Sequence, residues 1–256
     1  MLKFKQYLLL LFIYIVNSST FACSLDSLLL YSKLPRVEKP THFTTPIVIS
    51  GSLIGYGLVS LGVPALKRLD IQAKEIANSV YTGRTYVDDF IQYTPSLAVF
   101  ALELTGLKAK HSISQRMKAM ATAATITAIT TQALKKTTHI WRPDHSNDKS
   151  FPSGHTATAF VGAHMLFKEY KDQNIWIASS GYLVAASTGI FRMLNNKHWF
   201  SDVLAGAGIG ILSTELAYSI TPKLKKMFYS EGKRNQKMIW TDLTGDYPML
   251  RASIYF

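Results

Sequence analysis

Three short stretches place phosphate-handling residue types at close spacing. The first is Lys135, followed after six residues by Arg142-Pro143; the second is Pro152-Ser153-Gly154-His155; the third is Arg192, His198 and Asp202, with five and three residues between them. Lys135, Arg142 and Arg192 are three cations suited to one phosphate: arginine offers a planar fork of donors and lysine a point charge. Ser153-Gly154 reads as the opening of a helix, where backbone N–H groups face an anion and glycine permits close approach. His155 and His198 supply a proton donor and a nucleophile. Asp202 follows His198 by four residues, so at a helix start its carboxylate reaches back to one ring nitrogen. That contact fixes the tautomer and leaves the other nitrogen to attack.

The elements that must position these residues read as helices. Apolar patterning predicts helices over 46–66, 93–107, 119–134, 156–170, 175–190 and 203–220, with no sustained two-residue alternation between them. The segment 46–66 runs 21 residues without a charge. Pro143 and Pro152 bracket a polar loop, and Pro222 is expected to close the last helix. Lys135 and Arg142 then fall just past the third helix, and His155 opens the fourth. Arg192 ends the fifth, and His198 and Asp202 open the sixth. In an antiparallel bundle all three clusters come to the same end. His145 and His139 read as loop histidines, His164 as a packing residue, and Asp144 as a turn stabiliser.

In this order and spacing, Lys135-x6-Arg142-Pro143, Pro152-Ser153-Gly154-His155 and Arg192-x5-His198-x3-Asp202 resemble the type 2 phosphatidic acid phosphatase (PAP2) family, which shares its constellation with vanadium haloperoxidases. Phe191 stands where the family usually has serine before the arginine of the third motif, which removes one side-chain contact to phosphate. The resemblance implies an all-α, six-helix antiparallel bundle, membrane-embedded or membrane-associated. It implies a phosphatase without metal or other cofactor. His198 would form a phosphohistidine, Asp202 would orient it, and His155 would protonate the leaving oxygen and then activate water. Lys135, Arg142, Ser153, Gly154 and Arg192 would hold the phosphate oxygens. The implied substrate is a phosphate ester or pyrophosphate of an envelope lipid: phosphatidate, phosphatidylglycerophosphate, undecaprenyl pyrophosphate or lipid A phosphate. The alternatives are a broad-specificity soluble periplasmic acid phosphatase, a vanadate-dependent haloperoxidase and an inactive lipid-binding scaffold.

Composition fits an envelope protein. Of 256 residues, 48% are hydrophobic and only 17% charged, against about 25% charged in an average soluble domain. The formal charge of +12 suits an anionic partner. No basic helix carries stacking aromatics, so a lipid phosphate is a better match than nucleic acid. The lone cysteine, Cys23, excludes an internal disulfide. Residues 1–22 read as an export signal, with Lys3 and Lys5 before an apolar run, and Cys23 stands where a lipoprotein would be lipidated. The expected organisation is a signal or apolar segment at 1–22, a linker at 23–45, a helical phosphatase domain at 46–222 and a basic tail at 223–256. Twelve cations, from Lys108 to Lys237, fall at the end of the bundle away from the motifs, against seven at the motif end beyond the three phosphate ligands. This asymmetry places the motif end in the periplasm and the protein in the inner membrane. Counting spans opposes that placement if 1–22 is cleaved after export and 46–66 crosses.

Overall fold

The computed structural model of the protein describes residues 44–81, 83–233, 237–242 and 249–254. The expected signal segment at 1–22, the lipidation candidate Cys23 and nearly all of the 23–45 linker lie outside the described residues. Eight helices follow in order: α1 (Thr44–Ser60), α2 (Pro64–Val80), α3 (Val87–Ile91), α4 (Thr94–Ala101), α5 (Ile113–Thr138), α6 (Gly154–Tyr170), α7 (Ile175–Leu194) and α8 (Phe200–Lys233). A 3-10 turn, Leu102–Thr105, extends α4. Each of the six helices read from the sequence has a counterpart, although the one at 46–66 ends at Ser60, and α2 and α3 are additional.

Local chemistry sets the boundaries. A capping box between Ser112 and Gln115 starts α5, and Lys135 and Lys136 occupy its last turn, where cations complement the carbonyl end. Ser153 caps α6, and the Asn174 side chain accepts from two amides to cap α7. The apolar run 46–66 is not one helix. It breaks after Ser60, and α2 leaves at 97° to α1. Pro64 forces extended backbone on Val63 and begins a new helix at its first position, where a missing N–H costs nothing. At the other end, α8 does not stop at Pro222 but continues to Lys233. Beyond it Lys237–Asp242 (β1) pairs antiparallel with Met249–Ile254 (β2), so the bundle is all-helical and a small hairpin is added to it.

Helix α8 packs against α1, α5 and α6, and α6 also packs against α4 and α7. Glycines let these helices approach closely. A methyl group on Gly206 or Gly210 would lie 2.5 or 2.4 Å from the backbone oxygen of Ser153 or Ala157 in α6. Away from the motif end, the bundle interior holds paired polar side chains. His164 bonds Glu215 Oε1 (2.6 Å) and Tyr182 Oη (2.5 Å), which fits its reading as a packing residue. Glu215 also takes Lys168, and buried Arg116 pairs with Glu103. Arg116, one of the twelve cations counted at the end away from the motifs, is therefore an interior residue.

Candidate active site

The loop between α5 and α6 is tied to the segment that carries His198. The Asp144 carboxylate accepts from Ser146 N–H (3.0 Å) and from Lys197 Nζ (2.6 Å), and Asp144 N–H donates to Asn196 O (3.1 Å). Burial pushes the Asp144 carboxyl up, but the Lys197 ammonium and the Ser146 donors outweigh it and bring it to about 2. Asp144 is thus the turn stabiliser expected. His145 is exposed in left-handed backbone at the loop tip. Lys135, in the last turn of α5, reaches Lys149 O (2.8 Å) and Ser150 O (3.3 Å) at the loop's far end.

His198 sits two residues before α8 and Asp202 in its first turn. Their side chains are 2% and 0% exposed, and His198 Nδ1 lies 3.4 Å from Asp202 Oδ2. The same Oδ2 accepts from Ser150 Oγ (2.5 Å) and Trp199 N–H (2.9 Å), which fixes the carboxylate from two sides. With Nδ1 turned to Asp202, Nε2 is the nitrogen left to react. Burial holds the His198 ring well below the usual histidine range, and the charges of Lys135, Arg192 and Arg142 push it further the same way. The ring is therefore neutral, as a nucleophile must be.

The remaining members converge on this pair. Ser153 is fully buried. Its N–H donates to Asp202 O (3.0 Å) and its hydroxyl pairs with Thr156 Oγ1 (2.8 Å). Ser153 therefore locks the turn, and the amides of Gly154 and His155 are the ones that the helix start leaves unpaired. Arg192, at the end of α7, bonds Asp88 Oδ2 (2.7 Å), and His155 Nε2 lies 2.9 Å from Asp89 Oδ1. The Nε atoms of Arg142 and Arg192 are buried without a partner. Unpaired buried donors on two cations are costly alone and are satisfied by an incoming anion.

All eight motif residues thus gather at one end of the bundle. Four carboxylate or hydroxyl contacts were not read from the sequence: Asp88 on Arg192, Asp89 on His155, Ser150 on Asp202, and Asp70, which holds Ser201 N–H and Oγ, each at 2.8 Å. The one signal available was the Asp88-Asp89 pair itself, in a chain with only 16 acids.

Comparison with known proteins agrees with this geometry. Residues 117–226 match the family model of the PAP2 superfamily, a range that holds all three motifs. The Lipid A 1-phosphatase of Porphyromonas gingivalis is 38% identical over 138 residues, which are 54% of this chain and 31% of that protein. The bacitracin transport permease protein BcrC of Bacillus licheniformis is 34% identical over 82 residues, 32% of this chain and 38% of that one. The chain thus spans about a third of the length of the curated relatives it matches. A PAP2-type phosphatidylglycerolphosphate phosphatase from Bacillus subtilis shares the fold. Its TM-score is 0.50 at 18% identity, covering 71% of this chain and 98% of that one.

Proposed function

Taking residues 117–226 as a PAP2-superfamily region, we propose that this chain hydrolyses a phosphate ester or pyrophosphate of an envelope lipid through a phosphohistidine at His198. One observation carries the reading. A buried, neutral His198, oriented by Asp202, stands with Lys135, Arg142 and Arg192, and two of these cations hold unpaired donors. His198 Nε2 attacks phosphorus as the bond to the lipid oxygen breaks, and His155 gives that oxygen its proton. Water then attacks phosphorus and passes a proton to His155, and the P–N bond breaks. The three cations and the amides at the start of α6 stabilise the charge that develops on the phosphoryl oxygens. No step requires a metal.

The lipid class is supported from two sides. The printed name of the P. gingivalis relative points to lipid A phosphates as the first substrates to assay. The surface of the bundle also exposes large apolar side chains, among them Val48, Phe90, Leu97, Ile129 and Leu183. A bilayer covers such a surface, with exposed Trp141 at the motif end and Trp176 at the opposite end placed as interfacial anchors. One described helix, Phe200–Thr221, is long and apolar enough to cross by itself. The motif end faces the periplasm, and the basic segments stay inside. The test is phosphate release by the purified protein from a panel of lipid phosphates in EDTA. His198→Ala is expected to abolish both turnover and acid-labile phosphoenzyme; a folded variant with wild-type release refutes the reading.

A further inference from the structure

Asp89 stands in α3, outside the segment that matches the family model, and its carboxylate meets the second and third motifs together. Its Oδ1 lies 2.9 Å from His155 Nε2 and 3.7 Å from Arg192 Nη1. The neighbouring Asp88 is buried and clamps α3 onto α7 through Arg192 (2.7 Å) and Asn195 Nδ2 (2.9 Å). Asn195 also joins Thr85 N–H (3.1 Å) and Thr85 O (2.9 Å) just before α3. Arg192 therefore has its carboxylate in Asp88, and Asp89 is delivered by a fixed neighbour to His155. The Asp89 side chain is 46% exposed, so it is not core packing.

The charge balance gives this contact a task. An acid for the leaving group must hold its proton when substrate arrives. Burial disfavours a charge on the His155 ring, and the Arg192 guanidinium from α7 pushes the same way, so its pKa lies below the usual histidine range. The opposing carboxylates are Asp88 and Asp89 from α3, and Asp89 is the one bonded to the ring. A carboxylate in contact favours the imidazolium and fixes which nitrogen it engages.

We propose that Asp89 is the positioning residue of His155: its Oδ1 accepts a hydrogen bond from Nε2–H, leaves Nδ1 to serve the leaving oxygen, and favours the protonated ring until the Nδ1 proton is given up. This rests on the phosphatase reading above. In the first step the Nδ1 proton passes to the lipid oxygen as its bond to phosphorus breaks and the bond from His198 forms. The ring becomes neutral and keeps its Nε2 proton on Asp89. In the second step water gives a proton to Nδ1 as its oxygen bonds phosphorus and the P–N bond breaks. The carboxylate orients and stabilises throughout and never takes the proton.

The experiment compares full-length wild type, Asp89→Asn, Asp89→Glu, His155→Ala and His198→Ala on two substrates. One is phosphatidate, with a poor alkoxide leaving group; the other is p-nitrophenyl phosphate, whose leaving group needs little protonation. Asp89→Asn is expected to lower the rate of phosphoenzyme formation, read in single turnovers, by about 10- to 100-fold on phosphatidate and by less than about threefold on the aryl ester, the hydrolysis step that both substrates share being read separately. His155→Ala should show the same selectivity more strongly, and Asp89→Glu should restore most of the phosphatidate rate. The acid form of His155 is lost as pH rises, so removing the carboxylate should move the alkaline limb of kcat down by roughly one pH unit. Equal losses on both substrates, or an unmoved alkaline limb, overturn the assignment and make Asp89 structural. If Asp89→Asn fails to fold by thermal melting, Asp89→Ala carries the same comparison. A wild type that releases no phosphate, or a His198→Ala that matches it, overturns the phosphatase reading itself. An inactive His198→Ala beside an unselective Asp89→Asn overturns this proposal alone.

Discussion

Gly206→Ala tests whether the site depends on how closely α8 lies against α6. Gly206 is one turn beyond Asp202, and an added Cβ would stand 2.5 Å from Ser153 O, 3.3 Å from Thr156 Cβ and 3.4 Å from Ala157 N. To reach an ordinary contact the backbones must part by roughly 0.9 Å. Ser153 cannot yield alone, because its N–H is bound to Asp202 O and its hydroxyl to Thr156. The movement therefore separates His155, two residues past Ser153, from His198 and Asp202. A misplacement of about 1 Å costs on the order of 100-fold in rate, and overpacking costs about 1–3 kcal/mol of stability. Phosphate release and thermal melting read the two effects. Both substrate types should slow alike, because nucleophile and acid move apart. Gly51→Ala on α1 is the matched control: nothing lies within 4 Å of its added methyl, so rate should hold and stability should rise by up to about 1 kcal/mol. Wild-type kcat and melting temperature in Gly206→Ala would refute the reasoning.

Two further outcomes are expected. Lys135→Met removes a cation that opposes protonation of His198, so the His198 pKa rises; the acid limb of kcat/KM should move to higher pH, by roughly one unit, and an unmoved limb means that Lys135 does not act on His198. Single cysteines at 144–150 in a Cys23→Ser background should react in intact cells with an impermeant thiol reagent that enters the periplasm, and those at 223–233 should not; labelling of neither set in a folded, active protein places the site in the cytoplasm.

The motif residues were legible because their chemistry is local. His198 and Asp202 are four residues apart, and Ser153 caps the helix that His155 enters. Their common end followed from alternating helix directions alone. The acidic partners were not legible, because Asp88 meets Arg192 across 104 residues and Asp89 meets His155 across 66, and no short-range pattern encodes such pairings. The helix break at Leu61–Val63 was hidden by hydropathy, which registers apolar residues on both sides and not the backbone that Pro64 imposes. Helix α2 escaped for the opposite reason. Its charges, Lys67, Arg68, Asp70, Lys74 and Glu75, masked an amphipathic helix whose buried face carries Asp70. Pro222 signalled a helix end that the long α8 passes through.

The bent α1–α2 unit bears on how the nucleophile is kept still. A helix start normally frays, since its first amides have no carbonyl to bond. In α8 the Trp199 amide is held by Asp202, and the Ser201 amide and hydroxyl are held by Asp70, which α2 brings across 131 residues. The segment bearing His198 is thus stapled from a distant part of the chain. Its loss of conformational entropy is settled once, when α2 docks, instead of recurring with each substrate that arrives.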